Sequence, residues 1–107
     1  MPTFYRVVKS DPPTEEDFRS HKARGISLRR DTPELRRSWE GVSVYDTEEK
    51  AREAIARFPR IGQFIAEVRI AEGGPVTFEQ TTDDPHHYDL WGEPGDMLTA
   101  VIRVLPF

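Results

Sequence analysis

The run His86-His87-Tyr88-Asp89-Leu90-Trp91-Gly92-Glu93-Pro94 places two imidazoles, a phenol and two carboxylates in one short stretch, bracketed by Pro85 and Pro94. Histidine changes charge near neutral pH, so His86 and His87 are candidate general acids or bases. The spacing argues against a metal. Adjacent side chains on extended backbone point to opposite faces, and no HExxH or comparable ligand pattern is present. Ser43 lies in Val42-Ser43-Val44-Tyr45 without a GxSxG elbow, so no hydrolase triad can be assembled from spacing alone. Arg6 is the other unusual group. Alternation along Phe4–Lys9 puts it on the face of Phe4 and Val8, where a guanidinium needs a carboxylate or an anionic ligand. The plainer alternative is an edge-strand arginine whose stem packs while its head reaches water.

Charge is segregated along the chain. Residues 19 to 37 carry Arg19, Lys22, Arg24, Arg29, Arg30, Arg36 and Arg37 against Asp31 and Glu34. Residues 79 to 96 carry Glu79, Asp83, Asp84, Asp89, Glu93 and Asp96 with no lysine or arginine. The two blocks can face each other, or the basic one can receive a phosphate-bearing ligand or an acidic partner. The net charge of −4 argues against bulk nucleic-acid binding.

These groups must be positioned by a scaffold whose best-defined part is Trp39–Phe58. Val42–Tyr45 alternates as a strand, Asp46 or Thr47 supplies a helix cap, and a main amphipathic helix is expected over about 47–58. Ala51, Ala54, Ile55 and Phe58 form its apolar stripe, and Pro59 ends it. Ahead of it, Thr14 caps one short helix ending near Gly25, and Asp31-Thr32-Pro33 starts a second. Behind it, Gln63–Ile70 and Val76–Gln80 read as strands, the His86–Pro94 run as a stiff aromatic loop, and Leu98–Leu105 as a central strand. In that loop Tyr88 and Trp91 can equally plug the end of the core, leaving the histidines structural.

A chain of 107 residues supports one core and one domain. The expected fold is α+β: a twisted, mainly antiparallel, split sheet with one main helix and one or two short N-terminal helices. The absence of cysteine excludes disulfide and thiolate chemistry. No apolar run reaches the roughly 18 residues of a membrane span, and MPTFYRVVK lacks a signal-peptide core. The expectation is a cytoplasmic protein with no membrane partner and no required cofactor.

An early strand carrying Tyr5-Arg6, a strand Gly41-Val42-Ser43-Val44-Tyr45-Asp46-Thr47 leading into an alanine-rich helix, and later strands with acidic residues together resemble the ADP-ribosyltransferase-like superfamily, arginine-serine-glutamate type. The GVSVYDT and LWG-x-P signatures are also similar to those of small bacterial single-domain proteins. The superfamily resemblance implies that Arg6 holds a dinucleotide such as NAD, the possible substrate, and that Ser43 shapes the nicotinamide pocket. It implies a catalytic glutamate on or near a late strand, which here is Glu79 or Glu93; no Glu-x-Glu or Gln-x-Glu occurs.

Three functions follow as expectations. In the first, Arg6 with Arg29, Arg30 and the rest of the basic block holds phosphates, since guanidinium groups match phosphate oxygens bidentately. Tyr45, Tyr88 or Trp91 then stacks on a ring, and Glu79 or Glu93 stabilises an oxocarbenium-like centre. In the second, the chain is a non-catalytic module, such as a toxin–antitoxin component, whose 19–37 segment contacts an acidic protein or RNA. In the third, it is a small metal-independent ribonuclease using His86 or His87.

Overall fold

The computed structural model describes residues 1–107. Six strands form one antiparallel sheet: β1 (Thr3–Val8), β2 (Val42–Tyr45), β3 (Phe64–Arg69), β4 (Thr77–Glu79), β5 (His87–Trp91) and β6 (Val101–Pro106), in the order β4-β5-β2-β1-β3-β6. Three helices complete the α+β fold: α1 (Pro33–Glu40), α2 (Glu48–Arg57) and α3 (Pro94–Thr99). The sheet is continuous but unevenly sewn. β1 pairs with β3 from Thr3↔Arg69 to Val8↔Phe64, whereas it meets β2 only at Tyr5↔Tyr45. Two three-stranded halves therefore meet at one residue pair.

Each face of the sheet has its own core, as period-two alternation requires. Phe4, Val8, Val42, Val44, Ala66, Val68 and Leu90 bury one face under Met97 of α3 and under Phe18, which precedes α1 in the chain. On the opposite face Val7 and Ile65 receive Ala51 and Ile55 of α2. Burying an isoleucine side chain fully is worth about 1.5–3 kcal/mol, so Ile55 anchors α2. The helix starts where Thr47 Oγ1 accepts from Lys50 N at 3.1 Å, with Glu48 and Glu49 in its first turn.

Several expectations are corrected. Phe58 lies beyond α2 and is 57% exposed, because the backbone leaves helical geometry ahead of Pro59 and carries the ring off the apolar stripe. The first N-terminal helix shrinks to a single 3-10 turn, Glu15–Phe18; with Phe18 as its one apolar anchor it has nothing further to bury. His87–Trp91 is a strand rather than a loop, since β2 offers it a register from Val42↔Leu90 to Tyr45↔His87. Leu98 and Thr99 finish α3 instead of starting the last strand, because Pro94 opens a helical turn there. The strand that follows lies at the sheet edge rather than its centre, with Ile102 and Arg103 exposed. No helix is long and apolar enough to cross a membrane.

Candidate anion-binding cavity

Arg6 occupies the seam between the two sheet halves. Its register partner on β3 is Ala66, so its stem shares a face with Phe4 and Val8. Its head turns to the gap left where β1 and β2 stop pairing. Nη1 donates to the Ser43 carbonyl at 2.8 Å and Nε to the Asp17 carbonyl at 3.0 Å. The guanidinium thus supplies Ser43 with a donor that the β1 backbone does not.

Asp17 makes that placement rigid. Its Oδ1 accepts from Lys9 N at 2.8 Å; its Oδ2 accepts from Ser10 Oγ at 3.1 Å and Thr14 N at 3.0 Å. The carboxylate is buried and spent on these donors, so it binds the 3-10 turn to the end of β1 rather than pairing with Arg6 directly. Burial, with Arg24 as a nearby like charge, pushes the Arg6 guanidinium down to about 10, which still leaves it cationic at neutral pH.

A cavity of about 630 Å³ opens over this arginine. Pockets of a few hundred to a thousand Å³ are the usual size for small ligands and cofactors. Arg6, Lys9, Arg19, Arg24, Arg29 and Arg30 all line it, against two carboxylates, Asp17 and Asp89. Of the six cations only Arg19 has a carboxylate at ion-pair distance, Glu16 at 3.1 Å. Asp89 is buried and accepts from Ser38 Oγ at 3.0 Å and from Thr81 Oγ1, so its charge is held at the cavity wall by hydroxyls. The balance of the cavity is positive, and Ile26, Leu35, Phe58 and Ile61 add exposed apolar surface to its lining.

One row of side chains crosses the wall of this cavity. Register fixes Ser43 opposite Asp89 and Tyr45 opposite His87, all on the sheet face away from Val42, Val44 and Leu90. Ser43 Oγ is in hydrogen-bond contact with His87 Nε2, and the Tyr45 ring meets the His87 ring edge-on, centroids 5.7 Å apart. Burial, together with Asp84, raises the Tyr45 pKa, so its phenol stays a neutral donor. His86 turns the other way, with Nδ1 3.0 Å from Asp46 Oδ1.

The sequence-derived candidates therefore separate into two groups. Arg6, Ser43, Tyr45, Arg29 and Arg30 line the cavity together, with His87 directly behind Ser43. Glu79, Glu93, Tyr88 and Trp91 lie outside its lining. Glu79 Oε2 is taken by Arg37 Nη2 at 2.5 Å, and the Arg37 guanidinium lies 4.0 Å from the Trp91 ring centroid. Tyr88 packs on Phe4, centroids 5.1 Å apart, within the core, and Glu93 is exposed at the start of α3. The two charge blocks do not neutralise each other: Arg37–Glu79 is the one ion pair between them.

Besides Lys9, Trp39 and Asp89 of the lining, the candidate-site residue that sequence reasoning missed is Asp17. A Thr14-x-x-Asp17 spacing after Pro12-Pro13 is a capping signature and was its available signal. No group of three His, Asp or Glu side chains is gathered to hold a metal ion. Comparison with known proteins gives no match to a family model, a curated protein or a solved structure.

Proposed function

We propose that the chain binds a phosphate-bearing nucleotide of the NAD class in the cavity over Arg6. The observation that carries this reading is the convergence of Arg6 with four further cations lacking carboxylate partners, Lys9, Arg24, Arg29 and Arg30, on one cavity of about 630 Å³. Phosphate oxygens answer such an excess of charge, because guanidinium groups offer paired donors at the spacing of two oxygens. Tyr45 and Trp39 supply aromatic surface for a base or nicotinamide ring, and the Ser43 hydroxyl a polar contact to a ribose.

This is the ligand the ADP-ribosyltransferase-like resemblance also implies, and the reading is one of binding. Transfer chemistry needs a carboxylate at the bound glycosidic carbon. Glu79 is engaged by Arg37, and Glu93 lies away from the cavity, so neither supports that step.

Titration calorimetry with NAD tests the proposal. A saturable heat that disappears in Arg6→Ala and falls steeply with added salt is the expected result. Nicotinamide riboside, which lacks the pyrophosphate, binds far more weakly on this reading. Absence of any heat with the unmodified protein at millimolar NAD overturns it.

A further inference from the structure

A serine hydroxyl aimed at an imidazole has more chemistry open to it than ligand contact. Ser43 borders the cavity, while His87 stands behind it with Nε2 against Ser43 Oγ. The other ring nitrogen, Nδ1, lies 3.5 Å from Thr82 Oγ1, an oxygen that also accepts from the Asp84 amide at 3.3 Å. A proton on Nδ1, directed at Thr82, leaves the Nε2 lone pair to take the Ser43 proton. Both residues sit on paired strands in fixed register, and Tyr45 closes one flank of the imidazole. The pair is therefore held by scaffold and not by loop. Beside it, Arg6 is bonded to the carbonyl of Ser43 itself, and its Nη2 has no hydrogen-bond partner in the protein and is not sealed from solvent.

We infer that Ser43 is a nucleophile with His87 as its general base, and that the cavity hydrolyses an ester whose acyl or alcohol part carries negative charge. Ser43 Oγ bonds to the acyl carbon while His87 Nε2 takes the hydroxyl proton. The carbonyl electron pair moves onto its oxygen, where the Arg6 cation offsets the new charge. Collapse restores the carbonyl and breaks the ester bond, and the alcohol leaves with the proton from His87. Water then attacks the acyl-serine by the same route, releasing the acid and regenerating Ser43. The charge requirement on the substrate comes from the unpaired cations that share the cavity lining. The inference uses the same cavity as the nucleotide reading without resting on it.

Reaction with an alkyl fluorophosphonate tests it, because a serine oxygen displaces fluoride from phosphorus only when its proton is removed. Mass spectrometry is expected to find one adduct, on Ser43, that is absent from Ser43→Ala. His87→Gln is expected to slow labelling by about 10²–10⁴-fold, the usual contribution of a general base, with circular dichroism showing both variants folded. Ser20, Ser27 and Ser38 line the same cavity without a histidine partner and serve as internal controls. An adduct on these alone, no adduct on the folded protein, or an undiminished rate in His87→Gln overturns the inference. Calorimetry with NAD separates the two claims: labelling without NAD binding removes the nucleotide reading alone, and NAD binding without labelling removes the nucleophile alone.

Discussion

Arg6 meets Ser43 through the backbone: its Nη1 donates to the Ser43 carbonyl at 2.8 Å, leaving the Ser43 hydroxyl to His87. The same guanidinium therefore closes a gap in the sheet and charges the cavity above it. Its hydrogen bonds to two carbonyls and its proposed contact with an anion are joined in one side chain, so substitutions there report on both.

Replacing Arg6 with alanine leaves the Ser43 and Asp17 carbonyls without their donors. We expect a loss of about 1–3 kcal/mol in urea unfolding, as for removal of charged hydrogen bonds at a partly buried site. Arg6→Lys keeps the charge but cannot reach both carbonyls with the guanidinium's fixed geometry. It should recover part of the NAD binding and little of the stability; equal recovery of both would contradict the double role.

Asp17→Ala removes the acceptor for Lys9 N, Ser10 Oγ and Thr14 N at once. The expected cost is about 2–4 kcal/mol, since buried amide and hydroxyl donors lose a charged partner. Asp17→Asn retains one acceptor oxygen and should cost less. Chemical denaturation of the pair decides this, and equal stability of Asp17→Ala and the unmodified chain is the refuting result.

Helix α2 offers a sharper contrast. Ile55 is 2% exposed and Phe58 57% exposed, although sequence periodicity puts both on one stripe. Ile55→Ala should cost about 2–5 kcal/mol by transfer and cavity terms. Phe58→Ala should stay within about 0.5 kcal/mol in the same unfolding measurement. Because Phe58 also lines the cavity, its effect is expected in the affinity for the proposed nucleotide instead.

A methyl group at Gly41 would lie 2.8 Å from Asp89 Cβ and 3.1 Å from Trp91 Nε1. Neither neighbour can move freely: Asp89 is buried and bonded to Ser38, and Trp91 Nε1 donates to the Arg37 carbonyl at 3.1 Å. Gly41→Ala is expected to lose about 1–3 kcal/mol through overpacking, read as a lowered melting temperature. An unchanged melting temperature would show that the wall between α1 and β5 is looser than these distances state.

Alkaline stability carries a further signature. Tyr45 and Tyr5 both have pKa values raised above 10.0, Tyr45 by burial and then Asp84, Tyr5 by burial and then Glu67. A raised tyrosine pKa means the folded state holds its proton longer than the unfolded chain. The stabilisation is complete below the unfolded value and is lost as pH climbs through the folded one. Arg6, lowered to about 10, works in the opposite sense, because deprotonation there relieves the burial of its charge. Tyr45→Phe should therefore lose less stability than the unmodified chain between about pH 9 and 11. A steeper loss in the variant would reverse the assignment.

Local elements were legible where capping and alternation agreed. The Thr47 cap, the β2 alternation and the Pro33 start are all properties of neighbouring residues. What sequence could not show was pairing. His87–Trp91 looked like a loop because its strand character depends on β2, 40-odd positions away in register, and Leu98–Leu105 looked central because hydropathy does not reveal which edge a strand will take. The cavity followed the same rule. Arg6, Ser43 and Tyr45 could be singled out by type, but the seam that gathers them with Arg29 and Arg30 arises from the order of the strands. Glu79 was attractive, with Glu93, as a late glutamate, and only the tertiary approach of α1 commits it to Arg37.

The single Tyr5↔Tyr45 rung between β1 and β2 has a dynamic consequence. Where most strand boundaries resist opening through several consecutive bonds, this one is bridged by one backbone pair and one guanidinium. Deuterium uptake should accordingly divide the protein into β4-β5-β2 and β1-β3-β6 as separate cooperative blocks, with amides flanking Ser43 exchanging ahead of those along β3. An anion clamped by Arg6 would act as a rivet at that joint, slowing exchange on both sides of it at once.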